Sequence, residues 1–331
     1  MMAFKFNHSQ YDPTFHYIQI ETIILSSIWI PIFIIGFFGN ILVCVTVYRT
    51  KKMHFFVYYL LTSMAISDAM SCIFSALYLI FQFFYIYLGL SLSTKSLLCQ
   101  VDKLMIYTSY YTSTHTLIVI SLERYYTIVR NRIVLKRNRF DLVIIILTWL
   151  FGFAVAIPMI YVVGVTKDSP YICDYVNITT NQSKAYITVL TLVEVVIPFT
   201  IITYLYSSII RYVKSRLNSI SALTHTETSR DRNKRDAIRM LTVVTVIFIV
   251  FSFFLHCTKM VMAFSGAIMI TLYRSGLPNF YIYGDGLAVL LNVINPFIYS
   301  ICNKSFRQSM IQTLKRQNTK VIHIPVKNLK F

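Results

Sequence analysis

Thr22-Ile-Ile-Leu-Ser-Ser-Ile-Trp-Ile-Pro-Ile-Phe-Ile-Ile-Gly-Phe-Phe-Gly-Asn-Ile-Leu-Val-Cys-Val-Thr-Val-Tyr48 holds no charged residue between Glu21 and Arg49. A helix needs about 20 mostly apolar residues to cross a hydrocarbon core, so this stretch reads as a membrane span. Six more runs follow it. Met53–Ser93 is apolar apart from Asp68 and too long for one span, so its helix is expected to end near Tyr87. Leu104–Leu122, Leu142–Thr166 and Met240–Thr258 are uncharged, Ala185–Ile210 carries only Glu194, and Ser275–Cys302 carries only Asp285 among acids. The expected architecture is an all-α membrane protein, a seven-transmembrane helix bundle with a short amphipathic helix after the seventh span. The spans fall at about 23–48, 58–87, 98–130, 140–163, 185–213, 234–264 and 276–302. Residues 1–22 precede them, 303–316 form the amphipathic helix, and 317–331 form a tail. Barrel strands are excluded because these runs are too long and too continuously apolar to alternate.

Composition agrees. The 331 residues are 56% hydrophobic and 13% charged, against about 25% charged in soluble domains. A soluble enzyme, a disordered chain and a nucleic-acid-binding domain are all disfavoured. The net charge of +18 comes from basic blocks between apolar runs. With the N-terminus outside, the inner segments hold 24 basic residues and the outer segments 5, a strong positive-inside bias. The expected location is the plasma membrane, multi-pass, with a cytoplasmic C-terminus and inner loops facing anionic lipid and acidic partners. The sequons at Asn7, Asn177 and Asn181 fall outside, whereas that at Asn303 falls inside and should stay silent. Met1–Ile20 lacks a basic start followed by an apolar core, so the first span is expected to act as the insertion signal. No internal repeat of the transporter kind is visible.

Some residues are out of place in lipid. Asp68 sits mid-span, where a carboxylate costs about 2.5–3.5 kcal/mol by insertion scales, so it should face the bundle interior. It is either a lone structural acid or part of an ion or proton site with Asn40, Ser113, Asn292 and Asn295. Cys99 and Cys173 lie on the oxidising side and are expected to pair, the alternative being two free thiols. Cys44, Cys72, Cys257 and Cys302 read as small apolar groups. Glu123-Arg124-Tyr125 closes the third span, and by itself Arg124 could be a snorkelling side chain.

Taken in order, these features resemble the rhodopsin-like G-protein-coupled receptors, from about Gly39 to Phe306. Gly39-Asn40 looks like the first-span motif and Ala65-Ile-Ser-Asp68 like the second-span acid motif. Cys99 stands 25 residues before Arg124. Glu123-Arg124-Tyr125 resembles the ionic-lock triplet. Trp149, Pro198 and Tyr206 fit landmarks of spans four and five. Asn295-Pro-Phe-Ile-Tyr299 with Phe306 resembles the seventh-span signature. The resemblance implies an inner switch in which Arg124 pairs with Glu123 at rest and meets Tyr206 and Tyr299 when released. It also implies a sodium pocket at Asp68, Ser113 and Asn295, although Leu291 stands where an asparagine is usual and Asn292 lies beside it. Its implied partners are an extracellular ligand, a heterotrimeric G protein and arrestin, besides membrane lipids, with no nucleic acid and no organic cofactor.

The sixth span departs from that pattern. Ser252 replaces the usual tryptophan and Phe254 the usual proline. A straighter helix is expected, with the Ser252 hydroxyl bonding back to a carbonyl one turn earlier and Phe248, Phe251 and Phe253 filling the centre. Asn131 replaces a common proline. Val289 stands where opsins carry the retinal lysine, and Ile106 where amine receptors carry aspartate, so an amine would need Glu194 or Asp285.

The outer halves of the spans supply Asp102, Lys103, Tyr107, Tyr110, Tyr111, Glu194, His256, Lys259, Tyr281 and Asp285, an aromatic cup with both charges. It suits a peptide or a small charged metabolite. Residues 164–184 are expected to form a hairpin lid over it, as in peptide receptors. Lys259 could instead snorkel to the headgroups. The alternatives are a chemosensory or amine and small-metabolite receptor and, further off, a channel or transporter, which would need a charged pore or repeats. Enzyme motifs such as HExxH, GxSxG or a phosphate loop are absent from the sequence.

Overall fold

The computed structural model describes residues 13–130, 139–167, 170–221, 229–266 and 279–320. Its helices are α1 (Pro13–Arg49), α2 (Phe56–Tyr87), α3 (Leu92–Ile128), α4 (Arg139–Ala156), α5, α6 (Ser229–Ser265), α7 (Asn279–Cys302) and α8 (Lys304–Lys320). Helix α5 runs through Asn181–Thr191, a π-helical segment Leu192–Val196, and Ile197–Ser221. The end of the bundle carrying Cys99 is termed outer below.

Each boundary has a local cause. Ser91 caps α3 by accepting a hydrogen bond from Thr94 N at 3.2 Å, and Thr180 caps α5 in the same way from Ser183 N, each satisfying an orphan helix donor. Pro158 lies just beyond the end of α4, and one turn, Met159–Val162, follows it. Asn303 separates α7 from α8. Its side-chain oxygen accepts from Phe306 N at 3.1 Å, which starts α8 immediately and seats Phe306, fully buried, edge-on against Tyr299. Helix α1 starts at Pro13 and so extends outward past residue 22. The extension has partners: Phe15 packs edge-on against Tyr171 at 4.7 Å, and Gln19 donates to the Tyr87 hydroxyl at 2.7 Å.

Close approach depends on small residues at two places. A β-carbon on Gly36 would meet Val293 of α7 at 2.7 Å and Cys72 of α2 at 2.9 Å. One on Gly152 of α4 would meet the Thr112 backbone nitrogen of α3 at 2.8 Å. Apolar side chains on the opposite faces, among them Ile28, Phe38, Phe140 and Phe153, are exposed, as expected where lipid replaces water. Helix α3 is the polar one. It runs through the centre and buries Asp102, Lys103, Ser109, Ser113 and Thr116 together with Tyr107, Tyr110 and Tyr111.

Between α4 and α5, Gly164 and Asp174 form an isolated antiparallel bridge, each donating to the other at 2.9 Å. The expected hairpin is thus reduced to one bridge among the described residues, because tertiary ties rather than a strand ladder hold this loop.

Candidate functional site

The lid is fixed at several points. Cys99 of α3 and Cys173 are disulfide-bonded with Cα atoms 5.5 Å apart. The Tyr107 and Tyr175 hydroxyls share a hydrogen bond at 2.7 Å. Lys95 donates to the backbone oxygens of Tyr85, at 2.6 Å, and Pro170, at 3.0 Å, which ties the end of α2 to the loop. Burial lowers the Lys95 pKa from the ordinary lysine value. Sequence reasoning missed this staple, although a signal existed: a lysine in the first turn of a helix opposes the helix dipole and needs another use.

Beneath the lid lies the aromatic, mixed-charge cluster. Asp102, Lys103, Tyr107, Tyr110, Tyr111, Glu194, His256 and Lys259 are all buried. Lys259 does not snorkel. It is 1% exposed, with Nζ 3.9 Å from the Tyr107 ring centroid, a cation–π geometry. Lys103 lies 4.1 Å from the Tyr78 ring centroid in the same manner. Glu194, on the π-helical segment, faces His115 at 3.6 Å and is within electrostatic reach of Lys259. Sequence reasoning missed His115; a titratable imidazole in an otherwise uncharged span was the available signal. Tyr281 and Asp285 belong to α7, but their side chains lie outside the described residues, as does Asn7. Asn181 is exposed at the start of α5. Asn177 is half-buried, and its amide donates to Tyr161 O at 2.9 Å.

The floor of this cluster is where the sixth span departs from pattern. The Tyr110 hydroxyl donates to Ser252 Oγ at 2.5 Å, and the Tyr110 ring stacks on Phe248 with centroids 5.4 Å apart. His256 Nδ1 is 2.9 Å from Ser252 O. Two sequence expectations need correction. The Ser252 hydroxyl faces a phenol from α3 rather than only its own helix, because the Tyr110 side chain spans the α3–α6 interface at this level. Phe253 is 61% exposed and takes no part in the centre. Residues 248, 252, 255 and 256 share one face at helical spacing, and 253 points away from it.

Toward mid-bundle, α3 and α7 meet α2 at Asp68, which is fully buried. One carboxylate oxygen accepts from Ser113 at 2.9 Å and the other from Asn295 at 2.8 Å. Ser113 also shares a hydrogen bond with Ser67 at 2.7 Å. Asn292 donates to Ser71 at 2.7 Å, and Asn40 donates to Gly36 O and Asn292 O. The five residues singled out from sequence therefore lie in one polar layer. Trp149 Nε1 donates to Ser63 on the same helix as Asp68.

At the inner end, Arg124 Nε lies 3.3 Å from Glu123, whose other oxygen accepts from Thr127 at 2.9 Å. Tyr125 packs edge-on against Tyr126. Tyr206 is buried beside Ser121 and Thr245. The Tyr299 hydroxyl points to Met64 Sδ at 3.8 Å. The structure thus brings Glu123 and Arg124 together and leaves both tyrosines turned to other neighbours.

Similarity to known proteins runs over most of the chain. The chain is 26% identical over 305 residues to the RYamide receptor of Drosophila melanogaster, covering 89% of this chain and 64% of that receptor, a little under two thirds of its length. It is 27% identical over 302 residues to growth hormone secretagogue receptor type 1 of Sus scrofa, covering 86% and 79%. It is 24% identical over 339 residues to neuromedin U receptor homolog nmur-2 of Caenorhabditis elegans, covering 90% and 80%. Squid rhodopsin superposes with a TM-score of 0.72 at 18% identity, over 92% of this chain and 89% of that one, a likeness of fold. The family described as 7 transmembrane receptor (rhodopsin family) matches residues 39–299. The chain belongs to that family, class A of the G-protein-coupled receptors: it is a multi-pass membrane receptor and not an enzyme.

Proposed function

We propose that this receptor answers an extracellular peptide and activates a heterotrimeric G protein through rearrangement around Arg124. The observation that carries the peptide reading is the outer cluster: Lys259 and Glu194, of opposite charge, are buried together among tyrosines under a disulfide-pinned lid. Such a site suits a ligand with both charges and aromatic surface, and the similar receptors named for RYamide and neuromedin U support it. Tyr107, Tyr110, Tyr111 and His256 would form its walls, with Asp102, Lys103, Tyr281 and Asp285 around the mouth.

The inner face would work as a two-state switch. Glu123 holds Arg124 in the arrangement seen here; in the other state Arg124 is released to the G protein, and Tyr206 and Tyr299 turn toward it. The Asp68 layer fits a sodium ion by its chemistry. Its groups are oxygen donors, and Asn292 Oδ1 is buried there without a hydrogen-bond partner. Asp68, Ser113 and Asn295 would hold the ion. Leu291 in place of a polar ligand weakens it. The receptor is placed in the plasma membrane with its N-terminus outside, Asn7, Asn177 and Asn181 as glycan acceptors, and arrestin as a second inner partner.

The test is a peptide and amine library applied to cells carrying the receptor with several chimeric G proteins. At least one peptide should raise G-protein activation above that of cells carrying Arg124→Ala. Activation by amines alone would overturn the peptide reading.

A further inference from the structure

The outer ends of α2 and α3 bury oxygen acceptors for which the described residues supply no donor. Asp102 is 1% exposed, and neither of its carboxylate oxygens accepts a hydrogen bond. Gln82 of α2 is 7% exposed; its Nε2 donates to the Tyr78 hydroxyl at 2.9 Å, and its Oε1 accepts nothing. Tyr85 is within electrostatic reach of Asp102 and of Tyr78, the residue to which Gln82 donates. Neither nearby cation donates a hydrogen bond to Asp102. Lys95 is given to the backbone oxygens of Tyr85 and Pro170. Lys103, next to Asp102 in the chain, is within electrostatic reach of it but lies over the Tyr78 ring and leaves both Asp102 oxygens without a hydrogen bond.

A buried carboxylate is costly unless it is paired and hydrogen-bonded. Glu194, the other buried acid of the outer cluster, has His115 at 3.6 Å; Asp102 has no ion-pair partner at comparable distance among the described residues. Its place in the fold is informative. Asp102 lies one helical turn inward of Cys99, directly below the point where the lid is bonded to α3. The missing complement is a group made only of donors. A guanidinium offers five in a planar fork that matches two carboxylate oxygens, with donors to spare for a third acceptor. Its flat face also stacks on tyrosine rings, and Tyr78 and Tyr85 stand at this site.

We propose that Asp102, helped by Gln82 of the neighbouring helix α2, anchors a guanidinium group of the receptor's ligand, so that the peptide proposed above presents an arginine to the α2–α3 side of the pocket. This assignment rests on the peptide reading for its biological ligand, but the subsite itself is open to direct test.

Purified receptor in lipid nanodiscs is titrated with L-argininamide, with L-leucinamide as control, and followed by thermal midpoint and by saturation-transfer NMR. Argininamide should raise the midpoint and show saturation transfer; leucinamide should do neither. Asp102→Asn should weaken argininamide at least about tenfold, Gln82→Leu should weaken it several-fold, and Asp102→Glu should keep most of it. The Glu variant also decides the matter if the Asn variant folds poorly. Absence of binding to the unaltered receptor, or equal binding to Asp102→Asn, overturns the proposal. A signalling arm separates it from the broader reading. An agonist peptide whose potency is the same on Asp102→Asn would remove the arginine anchor and leave the peptide receptor intact. A library without any active peptide would remove the peptide receptor while the argininamide titration still decides the subsite.

Discussion

Removing the Tyr110 hydroxyl should raise ligand-free signalling. That hydroxyl donates to Ser252 across the α3–α6 interface, and both residues are almost fully buried. The structure also has Arg124 held by Glu123, so the bond belongs to the closed arrangement of the inner face. Tyr110→Phe keeps the ring stacked on Phe248 and deletes only the bond. A buried hydrogen bond contributes about 1 kcal/mol net, which corresponds to roughly fivefold in a two-state ratio. Ser252→Ala is more severe, because it leaves a phenol hydroxyl buried without a partner, at about 1–3 kcal/mol. The double variant should resemble Tyr110→Phe rather than the sum of the singles, since the orphan is gone. The assay is nucleotide exchange on a chimeric G protein without ligand, normalised to surface expression. Tyr110→Phe within twofold of the parent, or strict additivity in the double variant, would refute the reasoning.

Arg124→Ala should reach the surface, bind ligand and fail to activate a G protein, since its contacts seen here are few and at the inner face; surface labelling beside a signalling assay checks this. Agonist affinity should fall modestly when a bulky organic cation is replaced by sodium, and Asp68→Asn should abolish the difference, as radioligand competition in the two salts will show. Gly152→Ala should lower the thermal midpoint, because its methyl would meet the Thr112 nitrogen at 2.8 Å and overpacking costs about 1–3 kcal/mol. Cys99→Ser should release a lid that closes a separation of 74 residues, for about 4 kcal/mol in the chain-entropy account, visible as lost thermal stability in purified receptor.

The bundle was legible because charge-free runs of span length have few other solutions in lipid. The Asp68 layer was legible for the same reason: polar side chains in such runs must turn inward and find one another. The Cys99–Cys173 bond followed from two cysteines on one side. What escaped depends on rotation of one helix against another. Whether Phe253 or Phe248 faces the centre is set by the rotation of α6, which an almost uniformly apolar sequence does not encode. The pairing of Tyr110 with Ser252 needs the separation of α3 and α6, set in turn by contacts all round the bundle. The outward extension of α1 was hidden because its partners, Tyr87 and Tyr171, belong to other elements. The loop was expected as a hairpin on resemblance, whereas its ties are side chains such as Lys95 and Tyr175.

The way the lid is tied makes the outer face a single composite epitope. Tyr171 of the loop packs on Phe15 of α1 at 4.7 Å and has Lys95 of α3 5.5 Å from its ring centroid, so an antibody raised against the native protein here would recognise surface from three separated parts of the chain. It would not bind the corresponding linear peptides. Its binding should be lost on reduction of the disulfide, which makes such an antibody a conformational reporter for correctly folded receptor.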